Sequence, residues 1–206
     1  VWAEYFKVRC AMELGDSEVE AAMENYLKRY PASIYRNSMQ FMLACYVSDE
    51  GGYKQAAELF KKVNYKGLNA SDKERYDMRV GYIEFLDGNY RNAKMHLVKV
   101  SKLSDLYPHA LYYYSYIVYR EGHFIEAEEG FMQLKKYVGY ESLAPFYLLQ
   151  IEYRRGNYDY VINEGEALLG RASASTRADI VRVLAESYFI RGDYKNALLQ
   201  INTYPE

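Results

Sequence analysis

The feature that most constrains this chain is a short motif that recurs at nearly constant spacing. It consists of a glycine, any residue, an aromatic residue, any two residues, and then alanine or valine. The five copies begin at Gly51, Gly88, Gly122, Gly156 and Gly192, so successive glycines lie 37, 34, 34 and 36 residues apart. A fixed period in this range is the signature of a helical repeat array, in which each repeat buries its apolar face against its neighbours.

Each copy of the motif is typical of a turn between two helices. In the last copy, apolar residues recur at helical spacing on both sides of the glycine, which predicts helices over 178–191 and 194–202. Glycine can close the first helix because it tolerates the left-handed conformation that follows a helix end. The next position holds Asn89, Asn157 or Asp193 in three copies, and these residue types suit a tight turn or a helix N-cap. We therefore predict that each unit is a helical hairpin.

The residues around the last turn resemble a tetratricopeptide repeat, in which Leu-Gly/Ala-x-x-Tyr precedes the turn and Ala-x-x-x-Phe follows it. They read Leu184-Ala185-x-x-Tyr188 and Gly192-x-Tyr194-x-x-Ala197. The resemblance covers the whole chain and implies an all-α fold, a right-handed α-α superhelix (solenoid) of about six such hairpins. The approximate units implied within this single array are 1–33, 34–70, 71–106, 107–140, 141–175 and 176–206.

Two units depart from the family pattern. In the first, Gly15 stands at the turn without a following aromatic residue, and the spacing from Ser17 to Glu20 predicts a capping box at the start of the next helix. In the fifth, Val161 replaces the alanine and Gly165 stands where a large apolar residue is usual. We expect the second helix of the fifth unit to pack loosely or to bend.

The end of the first unit suggests a cellular location. Its sequence, Tyr26-Leu-Lys-Arg-Tyr-Pro31-Ala-Ser33, resembles the helix terminus of bacterial outer-membrane lipoproteins and cell-envelope tetratricopeptide proteins. This resemblance favours the periplasm or cell envelope over the cytoplasm. Both ends of the array are apolar, with Val1 and Trp2 at one end and Leu198, Leu199 and Ile201 at the other. Because terminal repeats normally have a polar outer face, we expect the chain to be a fragment of a longer protein.

The composition restricts the class of partner. With 26 basic and 28 acidic residues the net charge is -2, which provides no overall electrostatic footprint for nucleic acid or an anionic membrane. The longest apolar stretch, 110–119, is too short to span a bilayer. We therefore expect a protein or peptide partner, no nucleic acid and no membrane insertion. Cys10 and Cys45 lie among apolar residues of different repeats, and we expect both to be buried, reduced thiols.

In tetratricopeptide proteins, the first helix of each hairpin lines a concave groove that is the usual ligand surface. Residues 13, 10, 6 and 3 positions before each turn glycine share one face of that helix, here named the groove face. The candidate ligand-binding residues on the groove face are Met78, Tyr82, Phe85, His109, Tyr112, Tyr116, Tyr119, Phe146, Gln150, Tyr153, Arg182 and Glu186.

Tyrosine predominates in the middle of the groove face. The chain contains 25 tyrosines, and many of them serve the turns and the packing of the helices. Packing between hairpins is not expected to require Tyr112, Tyr116 and Tyr119 on a single stripe. Large rigid rings that carry a hydroxyl group are typical of peptide-binding surfaces, so this stripe is interpreted as a recognition surface.

No catalytic or cofactor motif accompanies the repeats. The sequence lacks the signatures of zinc proteases, serine hydrolases, phosphate-binding loops and Cys-x-x-Cys sites. We therefore expect no enzyme activity, no cofactor and no metal. Tetratricopeptide co-chaperones clamp a C-terminal carboxylate with lysines on the groove face. The corresponding positions here hold no lysine, which disfavours that subtype.

The function predicted from these observations is a protein–protein interaction scaffold that binds a peptide or helix of a partner in the aromatic groove. Arg182 and Glu186 would orient the bound segment. Two alternatives stay open at this point. Stacked tyrosines also suit sugar rings, which would make the chain a cell-envelope carbohydrate-binding module. In the second alternative the role is purely architectural, and a further part of the same protein fills the groove.

Overall fold

The computed structural model describes residues 1–203. The chain falls into two compact units, each of which contains several repeats. From here on, the first unit is residues 1–110 and the second unit is the residues from 111 onward. The described residues form twelve α-helices and one 3₁₀ helix, and no strand occurs among them. The α-helices are α1 (Trp2–Glu13), α2 (Val19–Arg29), α3 (Arg36–Asp49), α4 (Tyr53–Lys61), α5 (Ala70–Leu86), α6 (Tyr90–Leu97), α7 (Tyr107–Arg120), α8 (Phe124–Leu134), α9 (Leu143–Arg154), α10 (Tyr158–Leu169), α11 (Ala174–Ile190) and α12 (Tyr194–Ile201). The 3₁₀ helix, Tyr65–Gly67, lies between α4 and α5. The predicted all-α class is confirmed.

Six glycine turns join the helices into hairpins. In the turn between α5 and α6, Gly88 has a φ of 75° and its N–H donates to the carbonyl of Phe85 at 3.0 Å. The N–H of Asn89 donates to the carbonyl of Glu84 at 2.8 Å. This pair of bonds closes the helix because it satisfies carbonyls that have no partner within the helix. The same arrangement recurs at Gly15, Gly51, Gly122, Gly156 and Gly192, as the motif predicts.

The residue after the turn glycine starts the second helix of the hairpin. Asn89, Asn157 and Asp193 are the N-cap residues of α6, α10 and α12. Asp193 accepts a hydrogen bond from the N–H of Asn196 at 3.1 Å, so it caps the helix with its side chain. The capping box predicted at Ser17 is wrong. The N-cap residue of α2 is Glu18 and not Ser17, and Asp16 accepts from the N–H of Glu18 at 2.9 Å.

Each unit has its own apolar core. In the first unit, Met23, Met39, Phe41 and Phe60 are buried where α2, α3 and α4 meet. The second unit has one core around Phe131 and another that joins α9, α10 and α11. Because the burial of one large apolar side chain stabilises a fold by roughly 1.5–3 kcal/mol, these cores hold the groove-face helices in place.

Gly165 allows two helices of the second unit to approach closely. It is buried in α10, and a Cβ atom at this position would lie 2.8 Å from Cδ2 of Leu184 in α11. The helix continues through this residue from Tyr158 to Leu169. The expectation that α10 packs loosely at Gly165 is therefore wrong, because Leu184 fills the space that a larger residue would take.

The two cysteines differ in exposure, and neither forms a disulfide. Cys45 is buried in α3, and burial raises the pKa of its thiol to about 11. Cys10 is exposed on α1, so the expectation that both thiols are buried is wrong for Cys10. The buried side chains of α1 are Tyr5 and Val8, and Cys10 lies outside this face.

Candidate functional site

The predicted tyrosine stripe of α7 converges on one ring of the next hairpin, that of Tyr147 in α9. The ring centre of Tyr147 lies 6.2 Å from that of Tyr112, 5.8 Å from that of Tyr116 and 5.6 Å from that of Tyr119. The ring of Tyr147 also stacks on that of Phe131 in α8, with the ring centres 4.6 Å apart and an interplanar angle of 9°. The five residues form an aromatic cluster within the second unit.

This cluster contradicts the expectation that packing between hairpins does not require the tyrosine stripe. Packing between hairpins does use Tyr112, Tyr116 and Tyr119 together, because all three contact Tyr147. The three rings are half-buried and keep part of their surface exposed. Tyr147 is absent from the predicted residues because it is nine positions before Gly156 and so is not at one of the four positions that define the groove face. The available signal was its position four residues after Leu143, which places it beside the groove face of α9.

Two hydroxyls of the cluster, those of Tyr112 and Tyr147, have a raised pKa. Burial, and then the hydrogen bond with Tyr112, raise the pKa of Tyr147 well above its usual range. Burial likewise raises the pKa of Tyr112, and raises that of the neighbouring Tyr140 to about 12. Tyr112 and Tyr147 therefore carry neutral hydroxyl groups and no phenolate charge at neutral pH.

Three predicted residues, Tyr153, Arg182 and Glu186, come together between α9 and α11. The hydroxyl of Tyr153 donates to Oε2 of Glu186, which is the main cause of the raised pKa of Tyr153. A guanidinium nitrogen of Arg182 donates to Oε1 of Glu186 at 3.3 Å, and another lies 3.7 Å from Asp179. The network fixes the orientation of Glu186 and leaves two carboxylates beside a single guanidinium group.

The same three residues form one wall of a cleft of about 550 Å³, here named the α11 cleft. Its lining residues are Tyr153, Val181, Arg182, Ala185, Glu186, Phe189, Ile190 and Ile201. Phe189 is 62% exposed and Ile201 is 56% exposed, so apolar side chains of two helices face the open cleft. The α11 cleft thus combines an apolar floor with a hydrogen-bonded polar wall.

Two predicted residues of α9 are buried. Phe146 belongs to the core that joins α9, α10 and α11, and its ring meets that of Tyr147 edge-on at 5.0 Å. Gln150 is also buried, and its amide nitrogen has no hydrogen-bond partner among residues 1–203. Phe146 and Gln150 therefore lie behind the exposed part of the groove face.

The predicted residues of the first unit form a separate group. The rings of Tyr82 and Phe85 lie 6.5 Å apart and nearly parallel, and Tyr82 meets Tyr53 edge-on at 5.6 Å. Met78 is buried in α5, whereas His109 is exposed in the first turn of α7. Tyr53, Tyr82 and Phe85 therefore form a second aromatic group, within the first unit.

A buried carboxylate, Asp77, ties together three elements of the first unit. It accepts a hydrogen bond from the hydroxyl of Tyr65 at 2.6 Å, and its other oxygen lies 2.7 Å from Nδ1 of His96. The ammonium group of Lys99 lies 3.5 Å away. Burial and the bond to Asp77 raise the pKa of Tyr65 to about 12. This group was not predicted from the sequence, and it fixes the 3₁₀ helix against α5 and α6.

The described residues contain no group of three or more side chains suited to bind a metal. Among the same residues, no helix combines the length and the apolar character that crossing a bilayer requires.

No family model matches the sequence, and no curated protein matches it. Solved structures do match. A tetratricopeptide repeat protein from Parabacteroides merdae is 16% identical, with 99% of this chain and 79% of that chain covered at a TM-score of 0.64. MamA AMB-1 is 15% identical, with 82% and 90% covered at a TM-score of 0.66. BtubC (BKLC) from P. vanneervenii is 16% identical, with 97% and 86% covered at a TM-score of 0.56.

The chain has the fold of the tetratricopeptide repeat proteins, which confirms the resemblance seen in the sequence. The shared fold is a superhelix built from repeated helical hairpins.

Proposed function

We propose that this chain is a protein–protein interaction scaffold and that its second unit binds a peptide or helix of a partner at the α11 cleft. The observation that carries the proposal is the combination of exposed apolar residues with the Tyr153–Glu186–Arg182 network in one cleft. Tyr112, Tyr116 and Tyr119 would extend the surface along α7.

The size and lining of the α11 cleft suit large apolar side chains. Its volume of about 550 Å³ lies within the range of roughly 300–1,000 Å³ that is common for ligand clefts. A partner side chain that packs on Phe189 and Ile201 would remove apolar surface of both molecules from water. Each large side chain that becomes fully buried in this way would contribute about 1.5–3 kcal/mol to binding.

The polar wall of the cleft indicates which groups the partner would present. Arg182 lies between the carboxylates of Asp179 and Glu186, so these three residues together carry an excess negative charge. Backbone N–H groups or a basic side chain of the partner would complement that charge. A segment with large apolar residues next to a lysine or arginine is therefore the ligand that this cleft fits best.

The proposal is tested by selecting peptides from a displayed library on the intact chain and measuring their affinities. The variant Phe189→Ala should weaken binding of the selected peptides by at least about tenfold, because it removes a central apolar contact. Val138→Ala is the matched control, since Val138 is an exposed apolar residue of the second unit outside the cleft. Equal affinities for Phe189→Ala and the parent chain would show that the α11 cleft is not the binding site.

The carbohydrate alternative gives a different result in the same samples. Saturable quenching of tyrosine fluorescence by envelope oligosaccharides, in the absence of any peptide, would favour a sugar-binding module instead. Circular dichroism of each variant verifies that the helices are intact.

We also propose a location in a bacterial cell envelope, which rests on the helix ending that contains Tyr26, Pro31 and Ser33. Cell fractionation with an antibody against the chain tests this location. Recovery in the cytoplasmic fraction alone would contradict it.

A further inference from the structure

Charge in the first unit is sorted between the two ends of its helices. The loop edge consists of the segments that join one hairpin to the next, residues 28–36, 60–70 and 96–107. The turn edge consists of the segments within the hairpins, residues 12–19, 48–53 and 85–90. The loop edge holds eight lysine or arginine residues and one acidic residue, whereas the turn edge holds six acidic residues and no lysine or arginine.

The three loops of the loop edge adjoin one another. Asn37, next to the first loop, accepts from the N–H of Asn64 at 2.7 Å and donates to the carbonyl of Asn64 at 3.0 Å. The ammonium group of Lys99, in the third loop, lies 5.5 Å from the ring centre of Tyr65, in the second loop. The basic residues of the loop edge thus belong to one continuous surface of the first unit.

Much of this positive charge is not neutralised locally. Lys28, Lys61 and Lys99 lie within 4 Å of a carboxylate. The other five basic residues of the loop edge have no carboxylate partner among residues 1–203, and they are Arg29, Arg36, Lys62, Lys66 and Lys102. The acidic turn edge does not cancel this charge either. A 14-residue helix such as α3 is about 21 Å long, and salt screens charges beyond about 8 Å.

Helix dipoles explain only part of this sorting of charge. A basic residue at the C-terminus of a helix and an acidic residue at the N-terminus both favour the dipole. The dipoles therefore favour Lys28, Arg29 and Lys61 in the last turns of α2 and α4. They oppose Arg36 at the start of α3 and Asp49 at its end, and Lys66 and Lys102 lie outside the α-helices. The excess of positive charge at the loop edge therefore indicates an external partner with negative charge.

Three large aliphatic side chains of the same edge are exposed. One of them, Val98 at the C-cap of α6, is 62% exposed, and the other two lie in the loops. Ile34 in the first loop is 87% exposed and Leu103 in the third loop is 97% exposed. A nucleic acid would leave both in contact with phosphate groups and water, whereas the boundary between lipid headgroups and acyl chains would bury them. Tyr65, which lies between them along the chain, donates to Asp77 and packs against Tyr76, so its ring is already engaged. The combination favours a lipid surface over a polynucleotide.

We propose that the loop edge of the first unit docks on an anionic bilayer surface, with Ile34 and Leu103 entering the headgroup region and the turn edge facing away from it. The contact is peripheral and needs no membrane-spanning helix. It uses a different part of the molecule from the α11 cleft, so it stands or fails independently of the function proposed above. The net charge of -2 hides this surface because the two edges offset each other in the sum.

The test is flotation of the intact chain with vesicles of phosphatidylcholine alone and of phosphatidylcholine mixed with an equal amount of phosphatidylserine. Binding is expected only to the mixed vesicles and should weaken as salt is added. The triple variant Lys62→Glu/Lys66→Glu/Lys102→Glu should reduce partitioning by at least about a hundredfold. Each basic residue near an anionic bilayer contributes roughly a fivefold gain in affinity, and three are lost.

The matched control is Lys7→Glu/Lys54→Glu/Arg91→Glu, which changes the net charge equally at exposed positions outside the loop edge. It should partition nearly as well as the parent chain. The variant Ile34→Ser/Leu103→Ser should lose roughly tenfold in partitioning, because it removes the apolar contacts and keeps every charge.

Three results would overturn the proposal. They are equal partitioning of the two triple variants, equal binding to both kinds of vesicle, and binding of the parent chain to a single-stranded RNA homopolymer but not to the mixed vesicles. Circular dichroism of each variant distinguishes a lost surface from a lost fold.

Discussion

At the centre of the second unit, the ring of Tyr147 lies flat on Phe131 and is surrounded by Tyr112, Tyr116 and Tyr119. One residue of α9 thereby holds the groove face of α7 in place. The hydroxyl of Tyr147 contributes less than its ring, since it lies 3.5 Å from the hydroxyl of Tyr112, at the long limit of a hydrogen bond. The ring contacts are therefore the main contribution of Tyr147.

Replacing this ring gives a direct prediction for stability. Tyr147→Ala should lower the free energy of unfolding by about 3 kcal/mol, as expected when a large packed ring is removed. Tyr147→Phe should cost less than about 1 kcal/mol, because it keeps the ring and loses only a long hydrogen bond. Urea titration followed by circular dichroism measures both. Tyr160→Ala on the exposed side of α10 is the control, and an equal loss in that variant would contradict the role given to Tyr147.

Helices α10 and α11 approach closely because one position has no side chain. A Cβ atom at Gly165 would lie 2.8 Å from Cδ2 and 3.0 Å from Cγ of Leu184, which is itself fully buried. A leucine without free space on any side cannot move away at low cost, since protein cores are close-packed. At this position, steric conflict should outweigh the gain in helix propensity.

Two glycine substitutions separate these effects. Gly165→Ala should destabilise the chain by about 1–3 kcal/mol through overpacking. Gly170→Ala, at the end of the same helix, has a right-handed backbone and no close neighbour other than a carbonyl at 3.8 Å. It should be neutral or stabilising by up to about 1 kcal/mol, because alanine restricts the unfolded chain. Thermal unfolding measures both, and a stabilising Gly165→Ala would contradict close packing at this site.

The difference between what the sequence predicts and what it does not is clear in these elements. The helices and their turns follow from local signals, because the glycine after each first helix takes the left-handed conformation whatever surrounds it. Tyr147 and Gly165 depend on residues of a neighbouring hairpin, and no local pattern states which residue of the next helix each will meet. Ser17 fails for a similar reason, since the exact turn decides whether Asp16 or Ser17 reaches the helix start.

For the molecule as a whole, composition is a weaker guide to function than arrangement. The sequence predicts a groove face, and the structure groups Tyr153, Arg182 and Glu186 into one cleft while it buries Phe146 and Gln150. Folding also places two exposed apolar residues, Phe189 of the same helix and Ile201 of the next, beside that polar wall. Fewer of the candidate residues are therefore exposed than the groove face predicted from the sequence contains, and their role in binding stays a prediction.

The central claim is that the α11 cleft is where a protein partner binds, and photocrosslinking tests it most directly. A photoreactive benzoylphenylalanine is placed at position 189 or, as a control, at position 138 of the intact chain. A labelled peptide selected on the parent chain is then added, the sample is irradiated, and the products are identified by mass spectrometry. The account predicts crosslinks from position 189 that an excess of the same peptide without the label suppresses, and no crosslinks from position 138. Crosslinks from position 138 alone, or from both positions regardless of competitor, would contradict it.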